Sequence, residues 1–129
     1  DELLQKVGLF SVKNKKALTF SGGMKRRLNL IIALLHQPEI LFLDEPTAGL
    51  DPITAGHFDD LINELKEALG LTIFIITHDL DTLRDACDRV AVLSGKKVAA
   101  IGPLEKVRKH DDPWLHEYFS GPRGRAALG

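Results

Sequence analysis

Ile40-Leu41-Phe42-Leu43-Asp44-Glu45-Pro46 decides how this sequence folds. Four apolar residues run without alternation into two adjacent carboxylates, and a proline follows. A short unbroken apolar run is the pattern of a strand buried on both faces of a parallel sheet. Pro46 has no N–H for a sheet ladder, so the strand is expected to stop at the acids. Asp44 and Glu45 then stand at the carboxyl end of a buried strand, where open α/β sheets bind ligands. Two carboxylates there carry a desolvation cost that a cation offsets, and a metal bound to phosphate is the simplest such cation.

Downstream, Ala48-Gly49-Leu50-Asp51-Pro52 reads as a turn, with Pro52 opening a helix. The apolar stripe of that helix is Phe58, Leu61, Ile62, Leu65 and Leu69, and Gly70 ends it. Thr72 to Ile76 is β-branched and aromatic, a second buried strand, closed by Thr77-His78-Asp79. Leu80 to Ala86 reads as a short helix. Val90 to Leu93 and Lys97 to Ile101 form a hairpin around Ser94-Gly95-Lys96. Leu104 to Lys109 is helical, and Trp114, Leu115, Tyr118 and Phe119 make an aromatic stripe expected to pack on its own domain. Gly121-Pro122-Arg123-Gly124-Arg125 is expected to be loose, with Arg123 and Arg125 in solvent.

Upstream, Ser21-Gly22-Gly23 precedes Met24, Leu28, Ile31, Ile32 and Leu35, which is helical spacing with Ser21 as N-cap. Pro38 separates this helix from the strand. Ser11 to Lys16 reads as an exposed connection or a short surface helix, and Glu2 to Val7 as a helix end stopped by Gly8. The sequence opens inside that helix without a start methionine, as a fragment would. Strand, helix, strand, helix and hairpin imply an α/β sheet.

Composition narrows the function classes. The 129 residues carry a net charge of −1, with 44% hydrophobic and 27% charged residues. That is ordinary for a soluble globular chain and gives no global electrostatic argument for nucleic acid or an anionic membrane. The single cysteine, Cys87, excludes an internal disulfide and fits a reducing compartment. The longest apolar-rich stretch, residues 28–35, contains Asn29 and is too short to span a bilayer.

Four places can carry chemistry. Ser21-Gly22-Gly23 lets backbone amides approach an anion at a helix start, and Lys25, Arg26 and Arg27 are easier to understand with an anion nearby. Taken alone, the same residues are more often simply a helix cap. Asp44 can hold magnesium, and Glu45 can orient or deprotonate an attacking water, unless the pair simply caps a turn. His78, at the second strand end, can hold a phosphate oxygen or be a partly buried structural residue. Asp51 is an N-cap for the next helix whatever else it does. The other histidines (His36, His57, His110 and His116) show no metal-ligand spacing among themselves or with Cys87.

In this order the pieces resemble the second half of an ATP-binding-cassette (ABC) ATPase, a P-loop NTPase-like α/β fold. Phe20-Ser21-Gly22-Gly23-Met24 resembles the family signature, with Met24 where glutamine is usual. Ile40 to Glu45 resembles the Walker B strand, Ala48-Gly49-Leu50-Asp51 the D-loop, and Ile76-Thr77-His78-Asp79 the switch-histidine loop. No Gly-x-x-x-x-Gly-Lys-[Ser/Thr] occurs in the sequence.

The resemblance implies ATP and Mg2+ as ligands. It assigns Glu45 and His78 to catalysis, Asp44 to the metal, and Ser21, Gly22, Gly23, Met24 and Asp51 to nucleotide. It implies a head-to-tail pair with a second ATPase subunit, in which the signature of one closes over nucleotide held by the P-loop of the other. It also implies transmembrane permease subunits and a peripheral place on the cytoplasmic face of the plasma membrane. Residues 1–37 would end the helical signature subdomain, 38–102 form the catalytic core and 103–129 a helical tail. The signature Met24 and the tail from Trp114 to Arg125 resemble Mla-type ATPases of phospholipid trafficking and organic-solvent tolerance. A soluble ABC-type ATPase of DNA repair or chromosome maintenance, and a non-catalytic binding module, are the competing readings. Without the P-loop half, the piece is expected to be inactive alone, to expose a sheet edge and an apolar face, and to self-associate.

Overall fold

A computed structural model describes Glu2, Gln5 and residues 21–129. The readings made of residues 2–7, Gly8, residues 11–16 and Phe20 lie outside the described residues, apart from Glu2 and Gln5, which are helical. The chain divides into two compact units, Asp1–His78 and Asp79–Gly129.

In the first unit the described elements are α1 (Gly22–Leu34), β1 (Ile40–Asp44), α2 (Pro52–Leu69) and β2 (Thr72–Ile76). Each boundary has a local cause. Ser21 caps α1 by accepting from the Met24 N–H at 3.2 Å. Asp51 caps α2, accepting from the N–H groups of Ile53 (3.1 Å) and Thr54 (2.9 Å), with Pro52 as first residue. Gly70 ends α2 at φ 62°, a left-handed value that glycine adopts at no steric cost. Helix α2 buries Phe58, Leu61, Ile62 and Leu65, a stripe at i, i+3, i+4 and i+7, and packs against α1. Ile62 and Leu65 are almost fully buried, worth about 1.5–3 kcal/mol each by transfer. Leu69, expected in this stripe, is exposed at the helix end. In α1 the buried residues are Gly23, Leu30, Ile31 and Leu34, whereas Ile32 and Leu35 face solvent. The stripe is rotated from the expected one because Gly23, not Met24, meets α2.

Strands β1 and β2 pair in parallel, Ile40 opposite Thr72 through to Asp44 opposite Ile76, with α2 as the crossover. The ladder continues one step past β1, where the Glu45 N–H bonds the Ile76 carbonyl at 2.7 Å. Burial on both faces does not hold. Leu41 is buried and Leu43, Ile73 and Ile75 are half-buried, but Ile40, Phe42, Phe74 and Ile76 form an exposed apolar face. Phe42 is 71% and Phe74 55% exposed, and their rings stack obliquely with centroids 5.5 Å apart. Among the described residues, no second layer covers that side of the strands.

The second unit holds α3 (Leu80–Ala86), β3 (Val90–Ser94), β4 (Lys97–Gly102), α4 (Leu104–Val107), α5 (Pro113–Ser120) and α6 (Pro122–Leu128). β3 and β4 form an antiparallel hairpin with an irregularity at Val92/Leu93. Its two-residue turn has Gly95 at φ 58° and Lys96 at φ 63°, the signs a type I′ turn requires. Asp112 caps α5 through the N–H groups of Trp114 and Leu115. Leu115, Phe119 and Val107 make the core of the unit, lined by Val92, Ala99, Ala100, Leu104 and Leu128. Trp114 stacks on Tyr118 with centroids 5.2 Å apart but remains half exposed, so the aromatic stripe is only partly interior.

The segment expected to be loose is helix α6. Pro122 supplies its first residue, and Gly124 faces the α5 backbone so closely that a Cβ there would lie 2.1 Å from the Phe119 carbonyl oxygen. Arginines hold its carboxyl end. Arg84 donates to the Ala127 carbonyl, and Arg108 to those of Leu128 (3.1 Å) and Gly129 (3.0 Å). Cations belong at the negative end of a helix dipole. Arg125 is exposed, as expected, and also donates to the Ser120 carbonyl at 2.5 Å.

Candidate functional site

Strands β1 and β2 end level with each other, so the residues that follow them emerge side by side. The Glu45 carboxylate meets the His78 ring there, Oε1 to Nδ1 at 2.7 Å, and the Thr77 hydroxyl reaches Oε2 at 3.4 Å. The Glu45 side chain is 33% exposed and that of His78 84%, so the pair stands at the surface of the unit rather than in its core. A carboxylate has about four acceptor positions, so these contacts leave Glu45 able to accept from a further donor such as water. Asp44, one residue earlier, is exposed on the other side of the strand end.

Glu45 has φ 46°, a left-handed backbone that is uncommon for a residue with a Cβ. It is pinned from three directions. Its N–H bonds Ile76 and its carbonyl accepts from the Ala48 N–H at 3.2 Å. Arg26 of α1 supplies the third contact, donating from one guanidinium nitrogen to the carbonyls of Glu45 (3.2 Å) and Pro46 (2.5 Å), and from the other to that of Ala48. This corrects one expectation: Arg26 needs no bound anion to explain its place at the wrong end of a helix, because the loop after β1 supplies its acceptors. The link from Arg26 to the Glu45 loop is not legible from spacing, since its partners lie 19 to 22 positions away.

The two signature glycines have different surroundings. Gly22 is exposed, and a Cβ on it would make only an ordinary contact with Leu50. Gly23 is buried, and a Cβ there would come within 2.9 Å of the Thr54 side chain. Close packing against α2 thus explains Gly23 with no ligand present. The Ser21 oxygen caps α1, leaving its O–H as a donor, and the Met24 N–H is committed to that cap. Asp51 binds the Thr54 hydroxyl at 2.5 Å besides its two capping contacts. The Thr54 hydroxyl, then the Thr54 and Ile53 amides, hold its carboxyl below the ordinary value.

The structure therefore brings Glu45 and His78 together and ties the Ser21–Gly23 turn to them through Arg26. Asp51 is engaged locally at the start of α2. Among the described residues, no group of three His, Cys, Asp or Glu side chains is placed to hold a metal ion. Asp44 still fits magnesium, which takes one or two carboxylates and completes its shell with water and phosphate.

A sequence model of the ABC transporter family matches residues 1–48. The neighbouring solved structures carry the likeness through the rest of the chain. The cbiO1 protein of Clostridium perfringens, part of the cbiONQ ABC transporter complex, superposes with TM-score 0.80 at 34% identity, covering 98% of this chain and 51% of that one. The fold of this chain is therefore part of an ABC ATPase domain. An ATP-binding cassette of an ABC transporter in its ADP conformation superposes with TM-score 0.79 at 30% identity, covering 93% of this chain and 48% of the other.

Curated relatives named as ATP-binding proteins are similar over most of this chain. A methionine import ATP-binding protein, MetN of Xanthomonas euvesicatoria pv. vesicatoria, is 44% identical, over 96% of this chain and 42% of the relative. The linearmycin resistance ATP-binding protein LnrL of Bacillus subtilis is 41% identical, over 78% of this chain and 32% of its own length. The chain thus spans less than half the length of these relatives. Among the described residues, no helix is long and apolar enough to cross a membrane.

Proposed function

We propose that this chain supplies the catalytic carboxylate of an ABC transporter ATPase. The observation that carries the reading is the 2.7 Å contact between Glu45 and His78 at the open end of a parallel strand pair. Glu45 accepts a hydrogen bond from the attacking water and takes its proton. The His78 ring, donating from Nδ1, fixes the carboxylate's rotamer, and in its doubly protonated form it also offers an Nε2–H toward a phosphate oxygen. Asp44 would hold the magnesium ion, which neutralises phosphate charge when bound. Ser21, Gly22, Gly23 and Met24 face the nucleotide of a second ATPase subunit, and Asp51 lies along the seam of that head-to-tail pair. Residues 38–102 form the catalytic core, between the end of the signature subdomain (1–37) and the tail (103–129).

ATP binding needs a P-loop from elsewhere, so the chain alone is expected to show no turnover. In the assembled ATPase, Glu45→Gln should abolish magnesium-dependent phosphate release while ATP binding persists. Turnover by the isolated chain that disappears in Glu45→Gln would refute the need for a P-loop segment. Unchanged turnover of the assembled Glu45→Gln enzyme would refute the catalytic role.

The transport reading rests on relatives named for import and resistance, which favours it over DNA maintenance or a non-catalytic module. Transport requires permease subunits, which would hold the ATPase at the cytoplasmic membrane face. For cargo, the 44% identity to a methionine import protein favours an amino acid. The Met24 signature and the 114–125 tail favour phospholipid of the Mla type. Stimulation of the assembled transporter's ATPase by methionine or by phospholipid vesicles separates the two.

A further inference from the structure

Arg26 donates to three backbone carbonyls of a single loop, those of Glu45, Pro46 and Ala48. A cation near a helix N-terminus opposes the dipole, so its position needs a compensating contact. Three converging carbonyl oxygens provide one, and only a planar fork of donors reaches all of them at once. Two of these carbonyls belong to the two peptides that follow the Glu45 Cα, which has a left-handed backbone that local preference does not favour. The same arginine lies one helical turn beyond Gly23, on the helix that Ser21 caps.

We propose that Arg26 is a positioning residue that acts through the Glu45 backbone. It holds the carboxylate in reach of His78 and carries movement of the Ser21-Gly22-Gly23 end of α1 into the orientation of Glu45. Nucleotide engagement at the signature then sets the geometry of the general base within the same polypeptide. This role rests on the ATPase reading above.

The test is single-turnover and steady-state hydrolysis by the assembled ATPase, comprising this chain and the segment that supplies the P-loop. Arg26→Ala should lower kcat by about 10- to 100-fold with KM for ATP little changed, the signature of a misplaced group rather than lost binding. Arg26→Lys keeps the charge without the fork, so it should fold and fall between Arg26→Ala and the unsubstituted enzyme. On a Glu45→Gln background, Arg26→Ala should add no further loss to the residual single-turnover rate. The His78 ring resonances should shift in Arg26→Ala, which a remote packing defect would not cause.

Full activity in Arg26→Ala, or a loss that multiplies undiminished on Glu45→Gln, would overturn the Arg26 role and leave the ATPase reading standing. Absence of Glu45-dependent turnover in the unsubstituted assembly would overturn both.

Discussion

Glu45 shows how much chemistry a sequence can announce and how much geometry it hides. Two acids after an apolar run, with a histidine after the next such run, were enough to mark Glu45 and His78. Their meeting follows from parallel pairing, which period and propensity already imply. The left-handed backbone at Glu45 was not legible, because no glycine or asparagine marks the position. Arg26 was misread for a similar reason: a cation's charge is visible in sequence, but its carbonyl partners become neighbours only on folding.

Asp51 offers a test at this scale. Its folded pKa lies below the ordinary 3.8, chiefly through the Thr54 hydroxyl. Its charged form therefore contributes stability that is fully present above pH 3.8 and is lost as pH falls through the lower folded value. Asp51→Asn keeps a competent cap without the charge. The wild type should be the more stable at neutral pH, and the gap in denaturant midpoint should close on acidification. A gap of constant size from neutral pH to below 3.8 would rule out this linkage.

Elements with explicit punctuation were read well. Helix α2 begins at Asp51-Pro52 and stops at Gly70, so its limits follow from capping chemistry, whereas the like start of α5 at Asp112-Pro113 was not anticipated. Helix α6 was missed because Gly-Pro-Arg-Gly-Arg has loop composition. Its helicity depends on contacts that composition does not reveal, namely the seat of Gly124 on Phe119 and the arginines at its carboxyl end. Gly124→Ala should improve intrinsic helix propensity by about 1 kcal/mol. The steric conflict with the Phe119 carbonyl should outweigh this, for a net loss of roughly 1–3 kcal/mol in chemical denaturation. A stabilised Gly124→Ala variant would show that α6 does not sit against α5 as described.

At the level of the whole molecule, the expected apolar face is present on one side of the β1–β2 pair. An unbroken apolar run fits strands buried on both faces and strands exposed on one, because it carries no sign of which layer is missing. Phe42 and Phe74 are the largest exposed side chains on that face. Contiguous apolar surface of this kind drives association. The isolated chain should therefore self-associate as concentration rises, and Phe42→Thr with Phe74→Thr should shift the light-scattering mass toward monomer. Threonine keeps the strand preference of the site, so loss of fold is not the expected cause. A wild-type chain that stays monomeric at high concentration would refute the expectation.

The parallel ladder also acts as a ruler. Asp44 and Ile76 occupy its last rung, and Glu45 and His78 lie just beyond it. Their closeness depends on counting along the strands and not on the length of the helical crossover between them. A residue gained or lost within α2 or its flanking turns leaves the rungs aligned. One gained inside either strand displaces one partner by about 3.3 Å and turns that strand's side chains to the opposite face. Drift in chain length can thus accumulate in the crossover while the acid and the imidazole stay in step.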